Sequence, residues 1–411
     1  MIGDAAQAGI VVAAYGIAMA WSVRTADMLR NLPSVANLTK IGWQDAPASG
    51  PSLTVIVPAR NEAANIAATI ESLLQSDYRN LEIIAVNDRS TDATGTILDG
   101  VAARWPHTLR VIHVEELADG WVGKTYAMQL AMEQATSEYV LFTDADIQFS
   151  PVILRKAVAY AERTGAAHLV VMPTTLVKSW REGVVLGLLQ VLGLWVARPW
   201  RVSDPKARYD VIGVGAFNMV RRETLLALGG LEPQRMVILE DVHLALRFKA
   251  ENLPQRVAVA PGQVLVHWAK GLRGLVSVMT KNLFSGMNFN PLLLMLAALW
   301  VVLFFLVPLA GFAWWYTILP AAVVMFAIAA CYRTLSMYSL IHAGYGWLYP
   351  LAVVVFLYVM LQSMVSAFLI GGVRWRGTKY SLNELREHNH PRRWERAARE
   401  TRRLAKLRVE S

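Results

Sequence analysis

Four acidic points stand where the chain leaves an apolar run or enters a helical pattern: Asp88, Asp144, Asp146 and the pair Glu240-Asp241. Taken singly, each reads as a helix cap, a frequent use of Asp at such places. Taken together they fit one task. A nucleotide needs an acid to accept hydrogen bonds from its base or ribose. Its diphosphate needs a cation held by carboxylates, and an attacking hydroxyl needs a general base. The triplet Asp144-Ala145-Asp146 directly follows the apolar run Tyr139 to Phe142, and ligands of open α/β sheets gather at the carboxyl ends of strands. The plainer reading of the triplet is two carboxylates bonded only to backbone amides.

The elements that must position these acids follow from spacing. Strands are predicted over 53–58, 81–86, 109–114, 139–142 and 167–172, with a further strand over 211–220. Helical spacing covers 63–74, a stretch starting near Ala93, 123–135, 151–163, 222–228 and 240–249. Strands alternating with helices in this way predict an α/β fold with a mostly parallel, doubly wound sheet. There is no Gly-x-Gly-x-x-Gly after the first strand. Gly123-Lys124-Thr125 imitates the end of a P-loop, but Ala118 stands where its first glycine belongs. Lys124 either meets a phosphate at a helix N-terminus or is a surface lysine.

Composition places the chain at a membrane. Of its 411 residues 55% are hydrophobic and 17% charged, too apolar for an ordinary soluble protein. No charged residue occurs from Asn282 to Tyr332 or from Thr334 to Val373. Spans are predicted over 292–309, 316–332 and 347–370, and over 8–23 near the N-terminus. The nearly uncharged stretch 183–196 suits a buried helix or, slightly better, a membrane-interface helix, with Trp180, Trp195 and Trp200 as aromatic anchors or the wall of an acceptor entrance. The single cysteine, Cys331, excludes a disulfide framework and a cysteine zinc site. From Arg374 to Ser411 twelve Lys/Arg oppose five Asp/Glu, a basic tail that follows an apolar segment and suits anionic lipid better than nucleic acid. A catalytic domain and a tail on the same side require an even number of crossings between them, yet three spans are counted there.

The organisation expected is an N-terminal membrane anchor (1–30), a linker (31–51), a catalytic domain (52–265), an amphipathic interface segment (266–290), transmembrane helices (291–373) and a basic juxtamembrane tail (374–411). The expected setting is the inner, cytoplasmic membrane, crossed several times, with the catalytic domain in the cytoplasm.

Within this frame the stretches Ile56-Val57-Pro58-Ala59-Arg60-Asn61-Glu62, Val86-Asn87-Asp88-Arg89-Ser90-Thr91-Asp92, Phe142-Thr143-Asp144-Ala145-Asp146 and Glu240-Asp241 resemble the family 2 glycosyltransferases of GT-A fold. The resemblance spans roughly residues 52 to 265. It implies inverting transfer from a nucleotide-diphospho-sugar, usually UDP-linked. It also implies that Pro58, Arg60, Glu62 and Asp88 surround the nucleotide, that Asp144 assists on the donor side, that Asp146 ligates Mn²⁺ or Mg²⁺, and that Asp241 is the catalytic base.

Asp119-Gly120-Trp121-Val122-Gly123-Lys124, Ser203-Asp204-Pro205-Lys206, Gly213-Val214-Gly215-Ala216-Phe217 and Trp375-Arg376-Gly377-Thr378-Lys379-Tyr380 are similar to the membrane-bound, lipid-directed branch, which includes hopene-associated and carotenoid glycosyltransferases. Thr378 replaces the second arginine of that branch's terminal element. The implied partners are a nucleotide-sugar donor, a lipid acceptor, possessing a hydroxyl and of hopanoid or other isoprenoid type, and the bilayer; nucleic acid is not among them.

Four more residues are candidates. Arg374 and Arg376 either reach the diphosphate or are flanking positive charges of a membrane span. His267 either completes a metal site with Asp144 and Asp146 or is an interfacial histidine. His243, two residues past Asp241, is a smaller candidate. The competing functions are a processive polysaccharide synthase and a non-catalytic membrane scaffold. The first requires polar channel lining, which 292–332 barely offers, and lacks the leading Gln or Arg of its Gln/Arg-x-x-Arg-Trp element, since Gly371 stands there. The second predicts erosion among the four acidic points, and none is eroded.

Overall fold

A computed structural model describes residues Asp4–His388; most of the basic tail, from residue 389 onward, lies outside the described residues. The chain opens with helix α1 (Asp4–Asn31) and the two-residue strand β1 (Ala36–Asn37). There follow β2 (Leu53–Ala59), α2 (Ile66–Leu74), β3 (Leu81–Asp88), α3 (Thr94–Ala102), β4 (Leu109–Val114), α4 (Gly123–Gln134) and β5 (Tyr139–Phe142). Next come β6 (Ile147–Phe149), α5 (Ile153–Thr164), β7 (His168–Met172), β8 (Thr174–Thr175) and the apolar helix α6 (Trp180–Val196). The middle of the chain holds β9 (Asn218–Arg221), α7 (Arg222–Ala227), α8 (Glu240–Ala250), β10 (Gln255–Val259) and β11 (Val264–Val266). Helices α9 (Gly271–Gly286), α10 (Pro291–Val301), α11 (Val307–Ala310), α12 (Ile318–Leu335) and α13 (Tyr349–Ile370) precede a hairpin of β12 (Gly372–Trp375) and β13 (Thr378–Ser381), then α14 (Leu382–His388).

These elements form two compact units. The α/β unit gathers Ala36–Thr174, Arg201–His267 and the chain from Ile370 on. Its sheet runs β1-β10-β7-β9-β5-β2-β3-β4, parallel throughout except that β9 is antiparallel to both neighbours. Every residue of β2 is buried. Its period-two alternation sends Val55, Val57 and Ala59 into one core with Ile66, Ile70 and Leu73 of α2. Ile56 goes the other way, into a second core with Ala127, Met128 and Ala131 of α4. A strand covered on both faces must be apolar throughout, which is what its sequence shows. The mixed α/β architecture with flanking helices agrees with the expectation.

Two local expectations change. The strand predicted over 211–220 shrinks to Asn218–Arg221, because residues 211–217 form a loop whose glycines approach other elements too closely for a ladder. Part of the stretch read as a linker belongs to the sheet: Ala36 pairs with Ala258, and Leu38 is fully buried.

The helical unit contains five helices long and apolar enough to cross a membrane, one more than expected: Asp4–Ser34, Trp180–Arg201, Pro291–Ala313, Trp315–Leu335 and Ala343–Ile370. Within it, Pro308 lacks the N–H that would reach the carbonyl of Phe304, and a π-helical stretch (Val302–Leu306) lies just before it. The freed carbonyl accepts from Trp21 Nε1 at 2.9 Å, and the Phe305 carbonyl accepts from Tyr349 Oη at 2.9 Å. Trp21 is fully buried, edge-on to Trp195 and Phe305 at 4.9 and 5.1 Å. Arg24 closes the C-terminal end of α6 by donating to the carbonyls of Leu194 and Trp195. Trp195 is therefore an internal packing residue of this unit.

Sheet pairing limits which helices cross. Strand β7 precedes α6 and β9 follows it, and the two pair directly. A single crossing by α6 would put two halves of one sheet on opposite sides of a bilayer, so the chain must enter and leave α6 on one side. The same reasoning applies to α9–α13. The hairpin that follows them belongs to the α/β unit, where Tyr380 Oη accepts a hydrogen bond from Gly123 N at 3.1 Å. Any bilayer met between His267 and Ile370 must therefore be crossed an even number of times, which three full crossings by the long apolar helices there would not satisfy.

Candidate active site

Parallel pairing of β2 with β3, with Pro58 opposite Val86 and Ala59 opposite Asn87, delivers two loops side by side at the carboxyl edge of the sheet. They are bonded into one structure. Asn61, in the left-handed region at φ 55°, accepts from Thr91 N at 2.8 Å and donates its own N–H to Ser90 Oγ at 3.0 Å. Ala63 N donates to Asp92 at 3.1 Å, and Glu62 N to Thr94 Oγ1 at 2.8 Å. Pro58 is buried at the strand end, and the Glu62 carboxylate accepts from Asn65 Nδ2.

This double loop places Asp88, which is fully buried. Arg89, itself at φ 53°, donates Nε–H to Asp88 Oδ1 at 2.7 Å, while Asp88 Oδ2 has no hydrogen-bond partner. Buried guanidinium nitrogens without partners collect around it: Arg60 Nε and Nη1, Arg89 Nη2 and Arg376 Nη1. Burial, then the neighbouring Arg89, pulls the Arg60 guanidinium below its ordinary value; Asp88 and Tyr380 oppose that pull and Arg376 adds to it. Three arginines that repel one another and keep N–H groups unspent have the donors and charge that a multiply charged anion would use.

Arg376 arrives from the far end of the chain. Trp375 pairs with Thr378, so Arg376 and Gly377 alone make the turn, at φ 48° and 78°. Two-residue hairpin turns with both central residues at positive φ favour Asn or Gly. An arginine there is held against its backbone preference, a pattern that recurs at functional sites. Arg374, by contrast, is exposed on β12, and no contact groups it with the other arginines. Thr378, which departs from the branch pattern, is half-buried at the start of β13.

The second half of the site sits around Lys124, in the first turn of α4. Its ammonium lies 2.5 Å from Asp144 Oδ1 and 2.5 Å from Glu240 Oε1, and the residue is 8% exposed. Burial pulls the ammonium down, but Asp144, Glu240 and Asp241 outweigh it and hold Lys124 well above the ordinary lysine value. Neither a surface lysine nor solvent-facing, Lys124 is ion-paired within the unit to two acids.

The loop 211–217 makes this closeness possible. A Cβ on Gly215 would sit 2.5 Å from Asp144 Oδ2, and one on Gly213 would sit 2.1 Å from the Asp241 carbonyl oxygen. Asp144 N also donates to Gly215 O at 3.0 Å. Asp241 opens α8 and accepts from its neighbour Val242 N at 2.8 Å. Burial and then Glu240, opposed by Lys124, push its carboxyl up to about 6. A carboxyl in that range is ionised at neutral pH yet basic enough to take a proton in catalysis.

A buried polar chain holds Asp241 from behind. Asn218 Nδ2 donates to the Asp241 carbonyl at 3.3 Å, His168 Nε2 donates to Asn218 Oδ1 at 2.6 Å, and His168 Nδ1 accepts from Gln255 at 2.9 Å. Burial pushes His168 down to about 4, so it is neutral here. His243 is neutral for the same reason, and its Nδ1 donates to the Leu239 carbonyl within its own helix.

Asp146 completes the acidic edge. Burial first, then Asp144 and Glu62, push its carboxyl up to about 7. Among the described residues no three His, Cys, Asp or Glu side chains group closely enough to hold a metal ion. Strand β11 pairs antiparallel with β6, and the ladder ends with Val266 opposite Ile147, so His267 and Asp146 are the next residues beyond its last pair. The acidic pair suits a hard cation that fills the rest of its shell with phosphate and water oxygens. An acid raised by neighbouring carboxylates is a group that such a cation would stabilise.

Sequence reasoning did not single out Arg89, Tyr380 or the pairing of Glu240 with Lys124. The Asp-Arg step at a strand exit signalled the first; the other two depend on contacts between residues more than a hundred positions apart.

Comparison with known proteins follows this geometry. Residues 54–222 match the family described as Glycosyl transferase family 2. The 4,4'-diaponeurosporenoate glycosyltransferase of Staphylococcus aureus (strain bovine RF122 / ET3-1) is 25% identical over 351 residues, which cover 81% of this chain and 89% of the relative. Among solved structures, the mannosyltransferase PcManGT from Pyrobaculum calidifontis, in complex with GDP-Man and Mn²⁺, aligns with TM-score 0.48 and 20% identity over 86% of this chain and 99% of that one. Residues 1–349 of S. aureus TarS in complex with UDP-GlcNAc align with TM-score 0.40 and 16% identity, covering 77% and 92%.

Proposed function

We propose that the chain is a membrane-associated family 2 glycosyltransferase that transfers a sugar, with inversion, from a nucleoside-diphospho-sugar to an isoprenoid lipid. The observation that carries this reading is the pairing of an arginine cluster with unspent buried donors and a carboxyl raised to about 6, in one α/β unit. Asp88, with its free buried oxygen, accepts from the nucleotide, and Pro58 and Glu62 shape the same edge. Arg60, Arg89 and Arg376 receive the diphosphate. UDP is the first donor to test, on the resemblance of the four acidic motifs.

Asp241 takes the proton from the acceptor hydroxyl as its oxygen bonds to the anomeric carbon from the face opposite the diphosphate. The bond from that carbon to the phosphate oxygen breaks, and the electron pair leaves with the nucleoside diphosphate. Asp146 and Asp144, with His267 beside them, would hold Mn²⁺ or Mg²⁺; when bound, that cation neutralises charge on the departing diphosphate.

The acceptor class follows from the carotenoid-directed name of the relative and from the apolar helices, with a hopanoid as one member to be tried. A nucleotide-sugar donor places the α/β unit in the cytoplasm and the helices in the inner membrane. The test incubates the full chain in lipid bilayers with radiolabelled sugar nucleotides and isoprenoid acceptors, with and without Mn²⁺, and extracts the lipid. Label in the lipid phase that disappears in Asp241→Asn is the expected result. A wild type that neither transfers nor hydrolyses any donor overturns the proposal.

A further inference from the structure

Lys124 stands at the start of a helix beside an arginine cluster, where a phosphate ligand is the obvious assignment. Its contacts say otherwise. The ammonium is 2.5 Å from carboxylate oxygens on two different elements, Asp144 after β5 and Glu240 at the head of α8. Both Lys124 and Glu240 are almost wholly buried, at 8% and 4% exposure. Glu240 cannot lose this counter-charge without a cost, because its carboxylate is buried, while half-buried Asp144 is held to it through the shared ammonium. The glycines of 211–217 let Asp144 and the α8 backbone come this close: a Cβ on Gly213 would meet the α8 backbone, and one on Gly215 the Asp144 carboxylate.

Resting on the glycosyl-transfer reading above, we propose that Lys124 is a positioning residue: it ties the donor-side acid Asp144 to the helix that carries the base Asp241. It acts through Glu240, the residue preceding the base, and fixes the span between the two reacting groups before either ligand arrives. A misplacement of about 1 Å between reacting groups costs about 100-fold in rate, so this tie has a measurable effect on turnover.

The experiment compares Lys124→Met, Lys124→Arg and Glu240→Gln in the full chain in lipid. Calorimetric binding of uridine and guanosine diphosphates is measured alongside kcat and donor KM. Expected for Lys124→Met is nucleotide affinity and donor KM within about threefold of wild type and kcat lower by about 100-fold, with Lys124→Arg recovering about tenfold of that. A Lys124→Met protein that loses about tenfold or more in nucleotide affinity while kcat at saturating donor holds overturns positioning in favour of a phosphate ligand. If Lys124→Met does not fold, Glu240→Gln decides: nucleotide binding retained with kcat lowered supports the tie, and unchanged kcat removes it. A wild type without transferase activity fails the glycosyl-transfer reading itself; an active wild type with a normal Lys124→Met fails only the tie.

Discussion

The two halves of the site solve opposite electrostatic problems. Around Asp88, cationic groups outnumber their partners: Arg60, Arg89 and Arg376 keep buried nitrogens unbonded. Around Lys124, the acids are already answered by an internal cation. Buried polar groups left unsatisfied are costly, so the proposed diphosphate would satisfy the donors of the first half with its own negative charge. The second half is preorganised, and its shape does not depend on a ligand. The contrast separates binding from chemistry within one sheet edge.

The strongest way to break the comparison is to remove the proposed base. Asp241→Asn should lower kcat by about 10²–10⁴-fold, with nucleotide affinity little changed, as read by transfer kinetics and nucleotide binding. If affinity falls as far as kcat does, the two halves are not separate. Next in size is Gly213→Ala, whose Cβ would meet the Asp241 carbonyl oxygen at 2.1 Å. The α8 start must shift, and kcat should fall by about 100-fold with the thermal midpoint also lowered.

On the other half, Arg376→Ala should weaken nucleoside diphosphate binding by about 10–100-fold, the worth of one or two charge-assisted hydrogen bonds at about 1.5–3 kcal/mol each. Arg374→Ala, exposed on the neighbouring strand, should change it far less, and equal effects from the two would contradict the placement of the turn. The smallest effect is one of pH. Asp241 must be ionised to accept a proton, and its carboxyl is held at about 6. Thus kcat/KM should be flat above that value and fall about tenfold per pH unit below it, the direction required of a base. An inflection near the ordinary carboxylate range would show that Asp241 is not buried as described.

The architecture was largely legible because it rests on local patterns. Leu109–Val114 and Tyr139–Phe142 are strands over the stretches predicted for them, since an apolar run between turn signals has few other solutions. The strand predicted over 211–220 misled because Gly213 and Gly215 sit in an apolar context yet serve close approach, and spacing cannot tell these apart. Arg376 was legible as a candidate and Arg374 equally so; only the hairpin turn separates them.

What the sequence determined by itself is the alternation of strand and helix, the acids at strand exits, and the apolar stretches. These depend on side-chain period and on neighbours a few residues away. Tertiary structure alone decided the rest. Lys124 faces Asp144 and Glu240, where its place in a P-loop-like run suggested phosphate. Helix α6 cannot cross a membrane alone, whatever its hydropathy, because the strands on either side of it pair with each other. Both decisions come from contacts between segments distant in the chain, and the closure of a sheet is set by pairing across it, to which local spacing is blind.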